Sequence, residues 1–306
     1  MLSGLVVQAI PPEPPMAPTV VPGREVDAWA ARITYRLATA GLARCPVADR
    51  LPGLVLQHLS QFTLADRADI SAALPLERGP GVIALVPEGP AAAAGVHAGD
   101  IILSIDGRPL PAEPGLADPF SAPRAHVRAD AVDDIFARSP TDTVTLHLLR
   151  DGKTLPVSLT LRPGCPSHVR VARSEQRNAY ADGRHVFLTT GLLATLRGDD
   201  ELAFVIAHEM AHNILGHAAS MRAEGVTRGI GRGLGRSGRI VRAAEQAADQ
   251  LAGEIMLDAG FDPVAGAQML RRLGGSSGIA LFADHASAGD RIAALQALAA
   301  RRKGER

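Results

Sequence analysis

The first chemical signal is a pair of histidines and a glutamate. His208-Glu209-Met210-Ala211-His212 spaces two imidazoles four residues apart inside an apolar, helix-forming run. On a helix this spacing puts both rings on one face, one turn apart, as two ligands of one tetrahedral zinc require. Glu209 is rotated one step from them. It reaches a metal-activated water without being a ligand, which suits a general base. Without a metal, the apolar neighbours would bury two histidines and a carboxylate with no charge partner.

Such a site needs a third protein ligand and one open position. Two candidates stand downstream. A Gly three and a His six residues after the second histidine would make His217 a ligand, but Gly216 stands at four and His217 at five. His217 therefore reads as a neighbour of the site. Glu245 opens Glu245-Gln-Ala-Ala-Asp249 on a long helical stretch kept slim by Ala247, Ala248, Ala252 and Gly253. A slim helix lets a second ligand-bearing helix approach closely. Asp249, one turn beyond Glu245, is placed to hold a ligand histidine in the right tautomer.

Those side chains need elements to position them. Residues 24–42 predict a helix with Trp29, Ile33, Leu37 and Ala40 on one stripe, and residues 51–62 predict a second short helix. From Gly79 the texture changes to short strands and Gly/Pro turns. Residues 82–86 are apolar and rich in β-branched side chains, Ile101, Leu103 and Ile105 alternate, and Asp106-Gly107 is a hairpin turn. Residues 127–137 read as a helix. Residues 143–149 and 154–161 read as strands joined across Asp151-Gly152.

This β-rich stretch resembles a bacterial PDZ domain. The carrying residues are Gly81-Val82-Ile83, Pro90 with Ala94-Gly95-Val96, Gly99-Asp100 with Ile102, and Ile105-Asp106-Gly107; a Pro-rich insertion at 109–124 departs from the pattern. PDZ domains bind extended peptide ends by strand addition. The resemblance implies that Gly81, Val82 and Ile83 supply that edge, with residues 78–81 as the carboxylate-holding turn.

The carboxy-terminal half resembles the HtpX/BepA and CAAX-prenyl-protease family of zinc metallopeptidases (gluzincins). His208-Glu-Met-Ala-His212 with Gly216-His217 carries the likeness, together with Glu245, Ala248-Asp249, Gly260-Phe261-Asp262-Pro263, Asn178-Ala179-Tyr180-Ala181 and residues 186–193. The resemblance implies one zinc per chain held by His208, His212 and Glu245, with Glu209 as general base. It also implies a gating or oxyanion role for His285, and a substrate-bearing edge strand around residues 186–189. Its fold would be α+β: a mainly helical zincin-type metalloprotease domain with a small sheet, plus the β-rich PDZ domain.

Length and composition fit this organisation. The 306 residues suggest two or three domains, and 46% hydrophobic with 21% charged residues is an ordinary globular mix. The chain divides as follows: a signal remnant and Pro-rich linker at 1–23, a helical segment at 24–76 packing on the protease, a PDZ domain at 77–163, and the metallopeptidase domain at 164–306. Lys+Arg and Asp+Glu are both 32, so charge gives no case for nucleic acid as a partner. No apolar run approaches the roughly 18–20 residues of a membrane span, which leaves peripheral membrane association as the membrane contact to expect. Residues 1–9 read like the tail of a signal peptide whose start is missing, so a periplasmic or exported protein is expected. In that setting Cys45 and Cys165 are expected to form one long-range disulfide, the alternative being two unrelated buried thiols. The Gly/Arg-rich residues 225–239 read as a solvated loop. The expected activity is endopeptidase cleavage of extended or misfolded polypeptides, with the PDZ module holding substrate or gating the cleft. The alternatives are a non-cutting holdase and a pure PDZ scaffold, and zinc content with turnover separates the three.

Overall fold

The protein is described by a computed structural model covering residues 19–110, 125–226, 235–273 and 287–305. His285, the signal-like residues 1–9 and residues 227–234 of the Gly/Arg run lie outside those residues. The architecture is α+β, with a β-rich unit inserted into a mainly helical one.

Helix α1 (Glu25–Ala40) opens the helical unit. Its buried Ala30, Ile33, Leu37 and Ala38 recur at helical spacing and join the core formed by the carboxy-terminal helices. The chain then leaves through β1 (Asp49–Leu51) and enters the β-rich unit. That unit runs β2 (Leu54–Gln57), α2 (Arg67–Ala73), β3 (Gly81–Leu85), α3 (Pro90–Ala93), β4 (Ile101–Ile105), β5 (Arg108–Pro109), α4 (Ala125–Ala137), β6 (Thr143–Arg150) and β7 (Lys153–Thr160). Its sheet has the order β2-β3-β4-β6-β7, with β5 beside β4. Strand β8 (Arg162–Gly164) returns antiparallel to β1 and closes the neck of the insertion. Asp106 and Gly107, and likewise Asp151 and Gly152, all take positive φ, as a type I′ turn demands at both central residues.

Two sequence expectations fail here. Residues 51–62 do not form a helix but β2 and a single 3-10 turn. Pro52-Gly53 breaks the backbone, with Gly53 at φ +71°, and pairing with β3 then overrides the helical preference of Leu and Gln. The sheet therefore takes its outer strand from upstream of residue 77. The regular alternation expected of β4 is also interrupted: its pairing with β6 shifts between Ile102 and Ser104, and Ile101 and Ile102 are both buried.

The helical unit continues with a three-stranded sheet of order β10-β11-β9, made of β9 (His168–Ala172), β10 (Ala179–Ala181) and β11 (His185–Thr189). Then come α5 (Thr190–Leu193), α6 (Asp199–Ile214), α7 (His217–Ala223), α8 (Gly235–Asp258), α9 (Pro263–Ala267), α10 (Met269–Leu273) and α11 (Ala288–Gly304). Residues 235–239 of the Gly/Arg run thus open α8 instead of lying in a loop. Helix α6 is buried from Glu201 to Ala211. Small residues let its neighbours close in. A Cβ at Gly266 would lie 2.4 Å from the Asp200 carbonyl, and one at Gly253 would lie 2.7 Å from Leu295 and Leu298 of α11.

Cys45 and Cys165 are joined in a disulfide that brackets the whole insertion, and the Cys165 N–H donates to the Ala38 carbonyl at 2.9 Å. The bond ties the exit and return strands to α1. Replacing both cysteines with serine is expected to lower stability by about 2–5 kcal/mol, because it frees a long loop in the unfolded chain. A denaturant midpoint unchanged by the double substitution would contradict this.

Candidate active site

The functional groups rest on two crossed helices. Acidic residues fill the first turn of α6, where they favour the helix dipole, and α1 grips the first of them. Trp29 Nε1 donates to Asp199 Oδ1 at 2.7 Å, and Arg32 donates to both Asp199 oxygens at 2.9 Å. At the other end of α6, His208 and His212 face α8 through a seam of alanines. Ala207, Ala211, Ala248 and Ala252 are fully buried.

On α8, Val241, Ala244-Glu245, Ala248-Asp249, Ala252 and Ile255-Met256 form its buried stripe. This stripe carries Glu245 and Asp249 onto the two histidines. His208 Nε2 and His212 Nε2 are 3.1 Å apart, and Glu245 Oε2 lies 3.2 Å from the first and 3.4 Å from the second. A tetrahedral zinc with bonds of about 2.0–2.1 Å has ligand–ligand edges of about 3.3–3.4 Å. The three donor atoms therefore already stand as three corners of such a tetrahedron, and among the described residues they form the one His/Cys/Asp/Glu group of this kind. His217 is not part of it.

The other ring nitrogens are held from behind. His208 Nδ1 lies 3.1 Å from Asp249 Oδ1. Asp249 in turn accepts from Arg291 Nε at 2.7 Å and Nη2 at 2.6 Å. Burial works against its charge, but His208 and Arg291 outweigh it and hold the Asp249 carboxyl at about 2. His212 Nδ1 meets His217 Nδ1 at 2.8 Å. Gly216, in the left-handed conformation, ends the turn after α6 and swings His217 back to make this contact. Burial and the neighbouring His212 hold His217 down at about 4. A neutral His217 accepting from His212 Nδ1–H leaves His212 Nε2 as a lone-pair donor. Burial also opposes charge on His208, yet Asp249 and Glu245 raise it to about 10. His208 Nε2 and the Glu245 carboxylate would hold a divalent cation there, which would balance the two buried carboxylates in place of the proton. Glu209 sits one step round the helix and is 3% exposed.

A cleft of about 650 Å³ lies elsewhere and is not lined by the His208–His212–Glu245 group. It runs between β2 on one side and α1 with β9 on the other, and its walls include Leu54, Leu56, Phe62, Ala31, Val169 and Val171. This corrects the expected peptide edge. Gly81, Val82 and Ile83 lie on β3, which is paired with both β2 and β4. All five residues of β3 are buried, the mark of an interior strand. In the turn before β3 Arg78 is exposed, and Gly79 packs closely on β4, where a Cβ would lie 2.4 Å from the Ile102 carbonyl. Among the described residues the outer strand on that side is β2. The strand around residues 186–189 is corrected for the same reason: β11 is the middle strand, and the edge lying against α6 is β10.

Two family models match the chain. Peptidase family M48 matches residues 157–230, and the PDZ domain matches residues 61–161. The chain matches an M48-family peptidase carrying a PDZ domain. The peptidase match includes both histidines and Glu209 but ends before Glu245, and the PDZ match begins after β2. No curated protein matches the chain. Solved structures with a likeness include the HtrA-type protease AlgW with decapeptide (21% identity, 38% of this chain, 30% of that one, TM-score 0.27). Others are the HtrA3 PDZ domain bound to a phage-derived ligand (18%, 38% and 89%, 0.27) and the serine endoprotease from Yersinia pestis (23%, 38% and 30%, 0.24). The chain spans about a third of the length of the first of these proteases. Likenesses this slight carry no structural conclusion.

Sequence reasoning missed two residues around the peptidase site. Arg291 gives no signal in the sequence, because its bond to Asp249 crosses from α11 to α8. Asn213, next to His212, gave no signal because a lone Asn at a helix end is ordinary.

Proposed function

We propose that this protein is a zinc-dependent metalloendopeptidase that cuts extended or misfolded polypeptide. The observation that carries the reading is the tetrahedral-edge spacing of His208, His212 and Glu245, with Glu209 one step round the same helix. Zinc bound there supplies Lewis-acid polarisation of a carbonyl and acidification of water. Asp249 and His217 hold the two ligand imidazoles in the tautomers that turn Nε2 toward the ion. Glu209 takes the proton from the attacking water and delivers it to the departing amine. An extended substrate adds to the edge of β10, and a free peptide end adds to β2 in the 650 Å³ cleft. The PDZ unit then serves to hold substrate or to gate access. The disulfide supports an exported, oxidising setting and, with the substrate class, a place in protein quality control. No helix among the described residues is long and apolar enough to cross a membrane.

The test is metal content and cleavage of an unfolded protein substrate. One zinc per chain is expected, with cleavage lost on chelation and restored by zinc. A chain that binds no zinc overturns the reading. A chain that binds zinc and unfolded protein but never cuts is the holdase.

A further inference from the structure

The geometry points to helix α4 of the PDZ unit as a positioning element of the catalytic centre, acting through Asn213. This rests on the peptidase reading above. Asn213 follows the ligand His212 in the last turn of α6. Its side-chain amide spans the turn between β10 and β11: Asn213 Nδ2 donates to the His185 carbonyl at 3.0 Å, and the Gly183 N–H donates to Asn213 Oδ1 at 2.8 Å. The turn is stiff in itself, because Asp182 Oδ1 accepts from the N–H groups of Arg184 and His185.

The PDZ unit grips that same turn. Asp130 Oδ2 lies 2.9 Å from His185 Nε2, and Arg184 Nη2 donates to Asp134 Oδ1 at 2.6 Å. Alongside, Arg170 of β9 donates to Asp130 at 2.9 Å and to Asp133 at 2.5 Å. Burial works against the Asp130 charge, but His185 and Arg170 outweigh it and hold its carboxyl at about 2. The contacts of Asp130 with His185 and Arg170 are shielded from water and worth more than an exposed pair, while Arg184–Asp134 is more open. A second cleft of about 280 Å³ opens beside them, lined by Asp134, Gly183, Arg184 and Asn213.

An unbroken run of short contacts thus connects α4 to the residue beside a metal ligand. The end turn of a helix has no further turn to hold its carbonyls and frays easily. Here that turn carries His212. With α4 latched, Asn213 pins it to the hairpin whose β10 edge receives substrate. Asp133 and Ala137 of α4 also line the 650 Å³ cleft beside β2, so a peptide bound there touches the same helix. The coupling is therefore between the peptide cleft and the alignment of His212 with β10.

Three variants test it: the double variant Asp130→Asn with Asp134→Asn, the single Asn213→Ala, and all three together. The readouts are kcat and KM on an unfolded protein, zinc retention against a chelator, and amide exchange over residues 212–217. Small misplacements of catalytic groups lower rates by roughly 10- to 100-fold. A kcat loss of that size is expected in the double variant, with little change in KM and faster exchange at the end of α6. Asn213→Ala should show the same losses, and the triple variant should be no worse. Asp130→Glu with Asp134→Glu keeps both carboxylates and should restore most of the turnover. Unchanged kcat and exchange in the double variant overturns the proposal, as do losses that multiply in the triple variant. Exchange and zinc retention are read whether or not the chain cleaves, so a failed peptidase reading and a failed latch give different results.

Discussion

Glu209→Gln is expected to abolish turnover while leaving the metal bound. Glutamine keeps the size of the side chain and fits the same buried position on α6, where Glu209 is 3% exposed. It cannot accept a proton from water at neutral pH. His208, His212 and Glu245 are untouched, so zinc content should stay at one per chain. General acid–base catalysis contributes about 10²- to 10⁴-fold, and the loss in kcat should be at least of that order. Equal kcat in the variant and the parent would remove Glu209 from the chemistry. Loss of zinc together with activity would instead make Glu209 part of the metal's support.

Arg291→Met should be the most damaging substitution outside the ligands. Arg291 is 4% exposed, donates twice to Asp249 and lies 5.7 Å from the centre of the Phe204 ring. Methionine fills part of the space but leaves Asp249 charged and buried against His208 alone. Breaking one side of a buried pair in this way costs about 3–5 kcal/mol. That is a large share of a total stability of roughly 5–15 kcal/mol. Loosening the carboxylate behind a ligand histidine typically lowers metal affinity by about 10–100-fold. Denaturant midpoints and competition with a zinc chelator measure the two effects separately. A shift below about 1 kcal/mol, within the range of an exposed pair, would show that Asp249 does not depend on Arg291.

Much of the site was legible because helical spacing is a local property. His208 and His212 four apart, and Glu245 and Asp249 four apart, must each share a face wherever their helices go. Ala248, Ala252 and Gly253 signalled a slim helix, and Ala248 and Ala252 are buried in the core that α8 shares with α6, while Ala247 faces outward. The hairpin turns at Asp106-Gly107 and Asp151-Gly152 were legible for the same reason: few residue pairs accept positive φ twice in succession.

Strand order was not legible. Residues 81–85 and 185–189 are each apolar enough to be read as strands, but apolarity does not say which strands flank them on either side. The edge roles therefore fell to β2, inside a stretch whose Leu and Gln favour helix, and to β10, only three residues long. The contacts among α4, the turn at residues 182–185 and Asn213 were equally hidden. Asp130 and His185 lie 55 positions apart, and Arg291 and Asp249 lie 42 apart. Sequence alone determined the His208-Glu209-His212 face and the hairpin turns, since these follow from residue type and short-range geometry. The tertiary structure decided which strands are edges, where the 650 Å³ cleft opens and how α4 meets the turn at residues 182–185, because those depend on which distant surfaces burial brings together.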